Sequence, residues 1–245
     1  MKVCEFCGKE FVTKKLNVLG TTRIIEVANC NCFEEKLKED EQKKVIELKK
    51  AQIDKIFDNS MMTPLFRKKK FENVEMNEII KRCKNYAENF SKETTKGISF
   101  IGSVGTGKTT GLACLCNELM QKGHPCIFTT FSELLNKFSN YSYNHVGDIT
   151  PLLDDLCKCD LVVLDDMFRQ SETDKRREIA FLIIDRLMNY EIPLCYTANK
   201  ETFTNYRKVA EWDAIFDRLK DMTETVIMDG ESLRGKNGVR AKGNN

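Results

Sequence analysis

The clearest chemical pattern in this chain is a glycine-rich segment that ends in lysine and threonine. Gly102-Ser-Val-Gly-Thr-Gly-Lys-Thr109 has the spacing G-x-x-x-x-G-K-[ST], with an apolar run before it and a periodic apolar segment after it. Glycines let main-chain amides turn toward an anion, and the start of the following helix adds a favourable field. We call this segment the P-loop; it predicts a triphosphate cradle in which Lys108 neutralises the β- and γ-phosphates and Thr109 ligates Mg²⁺. A glycine-rich turn with a chance Lys-Thr pair is the alternative.

The predicted nucleotide contacts are consecutive along the chain: Gly102, Ser103, Val104, Gly105, Thr106, Gly107, Lys108, Thr109 and Thr110.

Two carboxylates follow a second apolar run, Asp160-Leu-Val-Val-Leu-Asp165-Asp166. On a neighbouring strand, Asp165 is expected to hold the magnesium ion through water, because Mg²⁺ dehydrates reluctantly. Asp166 is then placed to orient or deprotonate an attacking water. The alternative is a strand that ends in a solvated acidic turn.

A third apolar run, Leu194-Cys-Tyr-Thr-Ala-Asn199, ends in a small polar residue. If its strand lies between the other two, Asn199 faces the γ-phosphate and the water. That arrangement separates ATP-driven mechanical enzymes from kinases and small GTPases. The stretch after it lacks the Asp of a guanine-reading Asn-Lys-x-Asp tetrad, which favours adenine. Asn199 as a simple strand-end cap remains open.

Four of the 11 cysteines lie in close pairs near the N-terminus, Cys4-x-x-Cys7 and Cys30-x-Cys32. Zinc binds four thiolates in a tetrahedron, and a close pair lets one short turn supply two of them. The pairs therefore predict a zinc ion held by Cys4, Cys7, Cys30 and Cys32. Four unliganded thiols are one alternative; two disulfides are another, and they need an oxidising compartment.

The elements that position these residues alternate. Apolar runs predict strands, and longer periodic segments between or after them predict helices: strands at 98–101, 126–129, 161–164, 194–197 and 226–228, and helices at 112–122, 132–139, 174–190 and 212–222. Such alternation is typical of an α/β domain with a parallel sheet covered on both faces. Composition predicts three zones: a zinc-binding module at 1–33, a charged helical linker at 34–64 and a nucleotide-binding domain at 65–245.

Composition narrows the function classes. The 245 residues are 41% apolar and 31% charged, with 39 basic against 37 acidic side chains, so nucleic-acid binding requires a local patch. Candidates for such a patch are Lys137, Tyr141 and Tyr143, whereas Phe131 and Phe138 fit a helix core equally well; a basic run spans 67–70.

No stretch reaches the ~18 apolar residues of a membrane span. With no apolar segment after the N-terminus, we expect a cytoplasmic protein with no membrane partner.

These motifs resemble the AAA+ family, specifically the helicase loaders of the DnaC/DnaI type and the related IstB-like ATPases. The resemblance covers essentially the whole chain and is weaker at the N-terminus. It is carried by residues 102–110, 161–166, 197–199 and 214–219, and residues 67–74 resemble the stretch that precedes the ATPase core. It implies a sheet in the order 5-1-4-3-2 and ATP-dependent assembly on a hexameric replicative helicase. It further implies single-stranded DNA in the channel of the assembly and an N-terminal module that grips the helicase.

The resemblance also assigns two arginines. Arg218 matches the arginine finger that acts on the neighbouring subunit's nucleotide, so self-association runs through it; a surface ion pair with Asp217 or Asp221 is the alternative. Arg234 matches a C-terminal sensor arginine. Many AAA+ proteins have Asp-Glu where this chain has Asp165-Asp166, so we expect slow hydrolysis.

The leading hypothesis is an ATP-dependent replicative helicase loader with ATP, Mg²⁺ and Zn²⁺ as cofactors. The alternatives are an IstB-like transposition ATPase that remodels DNA and a non-hydrolysing nucleotide-sensing adaptor.

Overall fold

A computed structural model describes residues 2–18, 21–145, 148–169 and 173–228, so Arg234 lies outside the described residues. The chain forms two compact units, Met1–Gln52 and Ile53–Asn245. Within the described ranges, no helix combines the length and the apolar character that a bilayer crossing requires.

The first unit contains a two-stranded antiparallel sheet, β1 (Phe11–Val18) and β2 (Thr21–Ala28). Its side chains build little core, since Leu16 and Ile24 remain 47% and 65% exposed. A lone two-stranded sheet is marginally stable in water. The unit therefore depends on something besides apolar burial for its stability.

Helix α1 (Cys32–Asn59) follows β2. It confirms the predicted polar helix, because Leu37, Val45 and Leu48 are exposed along it. The helix ends just before the predicted break, and the next helix starts at Pro64.

The second unit alternates helices with strands. Its elements are α2 (Pro64–Arg67), α3 (Glu78–Asn89), β3 (Gly97–Gly102), α4 (Lys108–Gln121), β4 (Cys126–Thr130), α5 (Phe131–Asn144), α6 (Thr150–Leu156), β5 (Leu161–Met167), α7 (Asp174–Asn189), β6 (Leu194–Asn199), α8 (Lys200–Tyr206), α9 (Asp213–Met222) and β7 (Thr223–Met228), with 3-10 turns at Phe71–Asn73 and Ala210–Trp212.

The five strands form a parallel sheet in the order β4-β5-β6-β3-β7. Counted from β3 as the first strand of this unit, the order is 5-1-4-3-2, so the predicted α/β fold and strand order are confirmed. Helices α2, α3, α6 and α8 were not predicted. The carboxyl ends of β5, β6 and β3 are neighbours, and this edge carries the predicted chemistry.

Apolar side chains fill both faces of the sheet. Successive residues point to opposite faces, and accordingly Phe100 packs in a cluster with α3 and α4, whereas Ile101 packs with α5, α7 and α9. The cluster on the α4 side also holds Cys126 and Cys195, which are buried as expected for core strands. Helix α4 is thus fixed between the sheet and α3, which sets the direction of the P-loop.

Candidate nucleotide site and metal centre

The P-loop connects β3 to α4. Gly105 and Gly107 have φ angles of 87° and 92°, a region open to glycine but costly for side chains with a Cβ. Gly107 is the N-cap of α4. The ammonium of Lys108, the first residue of that helix, donates to the carbonyl oxygens of Gly102 at 3.0 Å and Ser103 at 2.6 Å. The lysine is 9% exposed, so a buried positive charge is held at this loop.

The predicted magnesium ligands are brought together. Thr109 Oγ1 donates to Asp165 Oδ1 at 2.8 Å, although the two residues are far apart in sequence. Asp165 is 6% exposed; burial raises its pKa, while hydrogen bonds from Thr197 and Thr109 oppose that shift. A hydroxyl and a carboxylate oxygen are hard ligands of the type that Mg²⁺ prefers. The donor set therefore fits a magnesium ion bound with a triphosphate.

Thr197 belongs to the site, although the sequence motifs did not predict a role for it there. It is 1% exposed in β6. Its hydroxyl donates to Asp165 Oδ1 at 2.6 Å and accepts from the amide of Asp166 at 3.0 Å. One side chain therefore orients both acidic residues from the neighbouring strand.

Asp166 lies at an irregular end of β5. Its φ is 53°, in the left-handed region that Asp tolerates better than most residues, and the pairing of β5 with β6 shifts register between Leu164 and Met167. The carboxylate pairs with Arg169 at 2.7 Å. Arg169 was also missed by the sequence interpretation.

Asn199 ends β6 and caps α8. Its Oδ1 accepts from the amide of Glu201 at 2.9 Å, which is the capping role kept open as the alternative. The residue also lines the same cavity as Asp165 and Asp166. Since the cap uses the oxygen, the amide nitrogen is the group that can donate to a phosphate.

These residues surround a cavity of about 880 Å³, within the range typical of small-molecule sites. Most predicted contacts line it: Val104, Gly105, Thr106, Gly107, Lys108, Thr109, Thr110, Asp165, Asp166 and Asn199. The cavity continues to a second stretch of chain before β3, which includes Phe66, Lys69, Asn73 and Val74. The space is therefore longer than a phosphate cradle alone.

Arg218 is not among the residues that line the cavity. In α9 it contacts α7, with its Nε and Nη2 at 2.9 Å and 2.8 Å from Asp185 Oδ1. Its guanidinium also lies 4.4 Å from the centre of the Phe181 ring. The ion-pair partner is thus Asp185, whereas the sequence pointed to Asp217 or Asp221.

An aromatic cluster surrounds Phe168, two residues after Asp166. Phe168 is 1% exposed and has a φ of 66°. Its ring centre lies 5.0 to 6.5 Å from five other rings: Tyr196, Phe203, Tyr206, Trp212 and Phe216. The end of β5 is therefore packed against α8 and α9.

The candidate DNA contacts separate by burial. Phe131 and Phe138 are 4% and 1% exposed, so their core interpretation is confirmed. Tyr143 is 85% exposed, and the ring of Tyr141 stacks on His145 with centres 3.9 Å apart. Lys137 and Tyr143 are thus exposed on α5, whereas Tyr141 is partly buried against the core.

The basic run after α2 is only partly solvated. Lys68 and Lys70 are exposed, whereas Lys69 is partly buried. Arg67 pairs with Asp58 at 3.2 Å. The run thus offers two exposed cations.

The four N-terminal cysteines converge in the first unit. Their sulfur atoms all lie within 4.8 Å of one another, and a zinc tetrahedron with Zn–S bonds of about 2.3 Å has sulfurs about 3.8 Å apart. Hydrogen bonds from the backbone amides of Phe6 and then Cys7 lower the pKa of Cys4 to about 7. Gly8 follows the first pair with a φ of 71°. The geometry and chemistry of this cysteine cluster fit a zinc ion.

A family model described as "IstB-like ATP binding protein" matches residues 45–241. The chain belongs to the IstB-like ATP-binding protein family. The predicted resemblance is thereby confirmed, and the match includes all the described residues that line the cavity.

Relatives of this IstB-like protein include a replicative helicase loader. This chain is 28% identical to "Replicative helicase loader DnaC" of Escherichia coli K12 over 191 residues, which cover 75% of this chain and 76% of the relative.

Solved structures agree on the fold. The crystal structure of the DnaC helicase loader matches with a TM-score of 0.58 and 20% identity over 68% of this chain and 99% of that one. AMPPCP-bound DnaA from Aquifex aeolicus matches with a TM-score of 0.56 and 22% identity over 70% of this chain and 51% of the other. At these identities the likeness shows the fold alone.

Proposed function

We propose that this IstB-like protein is an ATP-dependent loader of a hexameric replicative helicase. In this proposal residues 1–33 bind the helicase, residues 34–64 link the two parts, and residues 65–245 bind ATP and single-stranded DNA. The observation that carries the proposal is the Thr109–Asp165–Thr197 hydrogen-bond network beside the buried ammonium of Lys108. It assembles a site for a magnesium-bound triphosphate in a chain related to a helicase loader.

The chemistry of the proposed site is ATP hydrolysis at a low rate. Lys108 neutralises the β- and γ-phosphates, while Thr109 and Asp165 hold the Mg²⁺, which supplies charge neutralisation when bound. Asp166 orients or deprotonates the attacking water, and Asn199 donates to the γ-phosphate. Because Asp166 is shorter than Glu and is paired with Arg169, turnover without assembly is slow, as in a switch.

Single-stranded DNA is proposed to contact α5. Base stacking on aromatic rings and ion pairing with phosphates are the usual means of sequence-independent binding. Tyr143, with its highly exposed ring, and Lys137 supply these two groups, together with Tyr141.

All eleven cysteines lie in the described residues and are thiols, and the proposed compartment is the reducing cytoplasm.

The decisive experiment is a loading assay with a candidate replicative helicase. With ATP, the full chain is expected to co-purify with the helicase and to transfer it onto single-stranded DNA coated with single-strand-binding protein. Binding to the helicase without any transfer would leave only the adaptor hypothesis. Remodelling of double-stranded DNA without helicase binding would instead favour the transposition ATPase, which shares the family's ATPase core.

A metal prediction concerns the cysteine cluster. The protein purified under reducing conditions is expected to contain zinc at one ion per chain, and Cys4→Ser should remove it and abolish helicase binding. The nucleotide unit should keep its ATP affinity, because the cluster lies in the other unit. Metal analysis and pull-down measure the two effects.

Cys157→Ser is the matched control, since Cys157 is a partly buried thiol outside the cluster. It should retain both zinc and helicase binding. A wild-type protein that lacks zinc and still binds the helicase contradicts the metal assignment.

A further inference from the structure

Asn117 is an amide buried in the middle of α4, with 1% of its surface exposed. Its Nδ2 donates to the carbonyl oxygens of Phe66 at 2.8 Å and Lys69 at 2.7 Å. Both partners can only accept, so the atom that faces them must be the amide nitrogen. Oδ1 is buried and has no hydrogen-bond partner among the described residues. A buried amide whose oxygen has no hydrogen-bond partner is uncommon in protein cores. The two hydrogen bonds that Nδ2 donates therefore indicate a specific task for this side chain.

The two carbonyls belong to the stretch that lines the far part of the nucleotide cavity. Phe66 lies in α2 and Lys69 follows it, and both line the cavity together with Asn73 and Val74. Helix α2 has four residues, none of them buried, and no side chain caps its start. Later in the stretch Phe71 is buried in the cluster with α3 and α4, so packing anchors that end, whereas packing holds α2 only weakly. The two bonds from Asn117, with the Phe66–Phe128 ring contact at 5.2 Å, attach it to the sheet domain.

Asn117 acts at a distance from the phosphates. It lies nine residues after Lys108 in the same helix, which is about 14 Å along the axis. Its side chain contacts neither the P-loop nor the acidic residues in any described hydrogen bond. Its influence on a ligand must pass through the stretch from Phe66 to Val74.

We infer that Asn117 is a positioning residue for the nucleoside half of the ligand. By holding the Phe66–Val74 stretch against α4, it fixes the wall that meets the base and ribose, while the P-loop holds the triphosphate independently. The inference rests on the proposed nucleotide binding. It predicts that affinity for the nucleoside part can be lost while affinity for the phosphates is kept. ATP and inorganic tripolyphosphate measure these two affinities.

The test compares ATP with inorganic tripolyphosphate, each with Mg²⁺, on the full chain. Asn117→Leu keeps the branched shape and the number of heavy atoms without the donor, and Asn117→Asp turns an acceptor toward two carbonyls. Both variants should lose about tenfold or more in ATP affinity and stay within about twofold of wild type for tripolyphosphate. The ATP-to-GTP affinity ratio should fall toward one. Calorimetry measures all three.

Leu187→Ala is the control for general destabilisation. Leu187 is fully buried in α7 on the opposite face of the sheet and does not line the cavity. This variant should melt earlier and keep the wild-type ratio of ATP to tripolyphosphate affinity. If both Asn117 variants fail to fold, hydrogen exchange on wild type decides: amides in 66–74 should be protected by ATP and not by tripolyphosphate.

Equal losses for ATP and tripolyphosphate, unchanged ATP affinity, or exchange protection by both ligands would overturn the role of Asn117. These outcomes leave the proposed function intact, because wild type still binds ATP. A wild-type protein that binds neither ligand overturns the proposed function itself, and the inference with it.

Discussion

Lys108→Ala is expected to abolish ATP binding, with an affinity loss of about 100-fold or more. The ammonium is buried and already held by the Gly102 and Ser103 carbonyls, so it is preorganised for an anion. Contacts to charged groups contribute about 1.5–3 kcal/mol each, and the β- and γ-phosphates each lose one. Calorimetry with ATP and Mg²⁺ measures the change, and a thermal melt verifies the fold.

Lys122→Ala is the matched control. Lys122 follows the same helix, donates to the Ala87 carbonyl at 3.0 Å and lies outside the cavity. Its variant should bind ATP like wild type. If Lys108→Ala retains wild-type affinity, the triphosphate does not lie in the P-loop and the proposed function loses its basis.

Arg218→Ala is expected to spare ATP binding and to lower assembly-stimulated hydrolysis by about 10³-fold. The reason is its position: Arg218 is not among the residues that line the cavity of its own chain, so we expect it to act on a neighbour's γ-phosphate, as the family resemblance implies. A guanidinium there stabilises the charge that develops in the transition state. Phosphate release in the presence of helicase and single-stranded DNA measures the rate.

Asp185→Asn is the control for the ion pair. It removes the carboxylate that pairs with Arg218 at 2.8 Å while leaving the guanidinium in place, so hydrolysis should persist. Mixed assemblies of the Lys108→Ala and Arg218→Ala variants should regain activity, because some interfaces join an intact P-loop to an intact arginine. No recovery on mixing would argue against action between subunits.

The P-loop was predictable because few residues determine it, whereas the strand order was predicted only through the resemblance to a known family. A glycine-rich turn that ends in Lys-Thr, between an apolar strand and a helix, is typical of a triphosphate cradle, and the carboxyl ends of parallel strands share an edge. This made the meeting of Thr109 with Asp165 foreseeable. The roles of Asp166, Asn199 and Arg218 remain predictions.

Other site residues carried no readable signal. Thr197 is a threonine in a buried strand, and Asn117 is a single asparagine in a helix, so neither stands out before the partners are known. Arg218 and Asp185 are separated by 33 positions, and only the packing of α9 on α7 joins them. Helix α8 follows β6 without an intervening loop, so no turn in the sequence marks where the strand ends and the helix begins.

The rings around Phe168 link the sheet edge that carries Asp165 and Asp166 to the helix that bears Arg218. Closely packed rings resist compression, so a backbone shift at Asp166 displaces Phe168 and passes through Phe216, which lies in α9 two residues before Arg218. If Arg218 acts on a neighbouring subunit, as we expect, this packing transmits the state of one subunit's pocket to the arginine that it offers its neighbour. Successive subunits of a filament or ring would then hydrolyse ATP in sequence rather than at random.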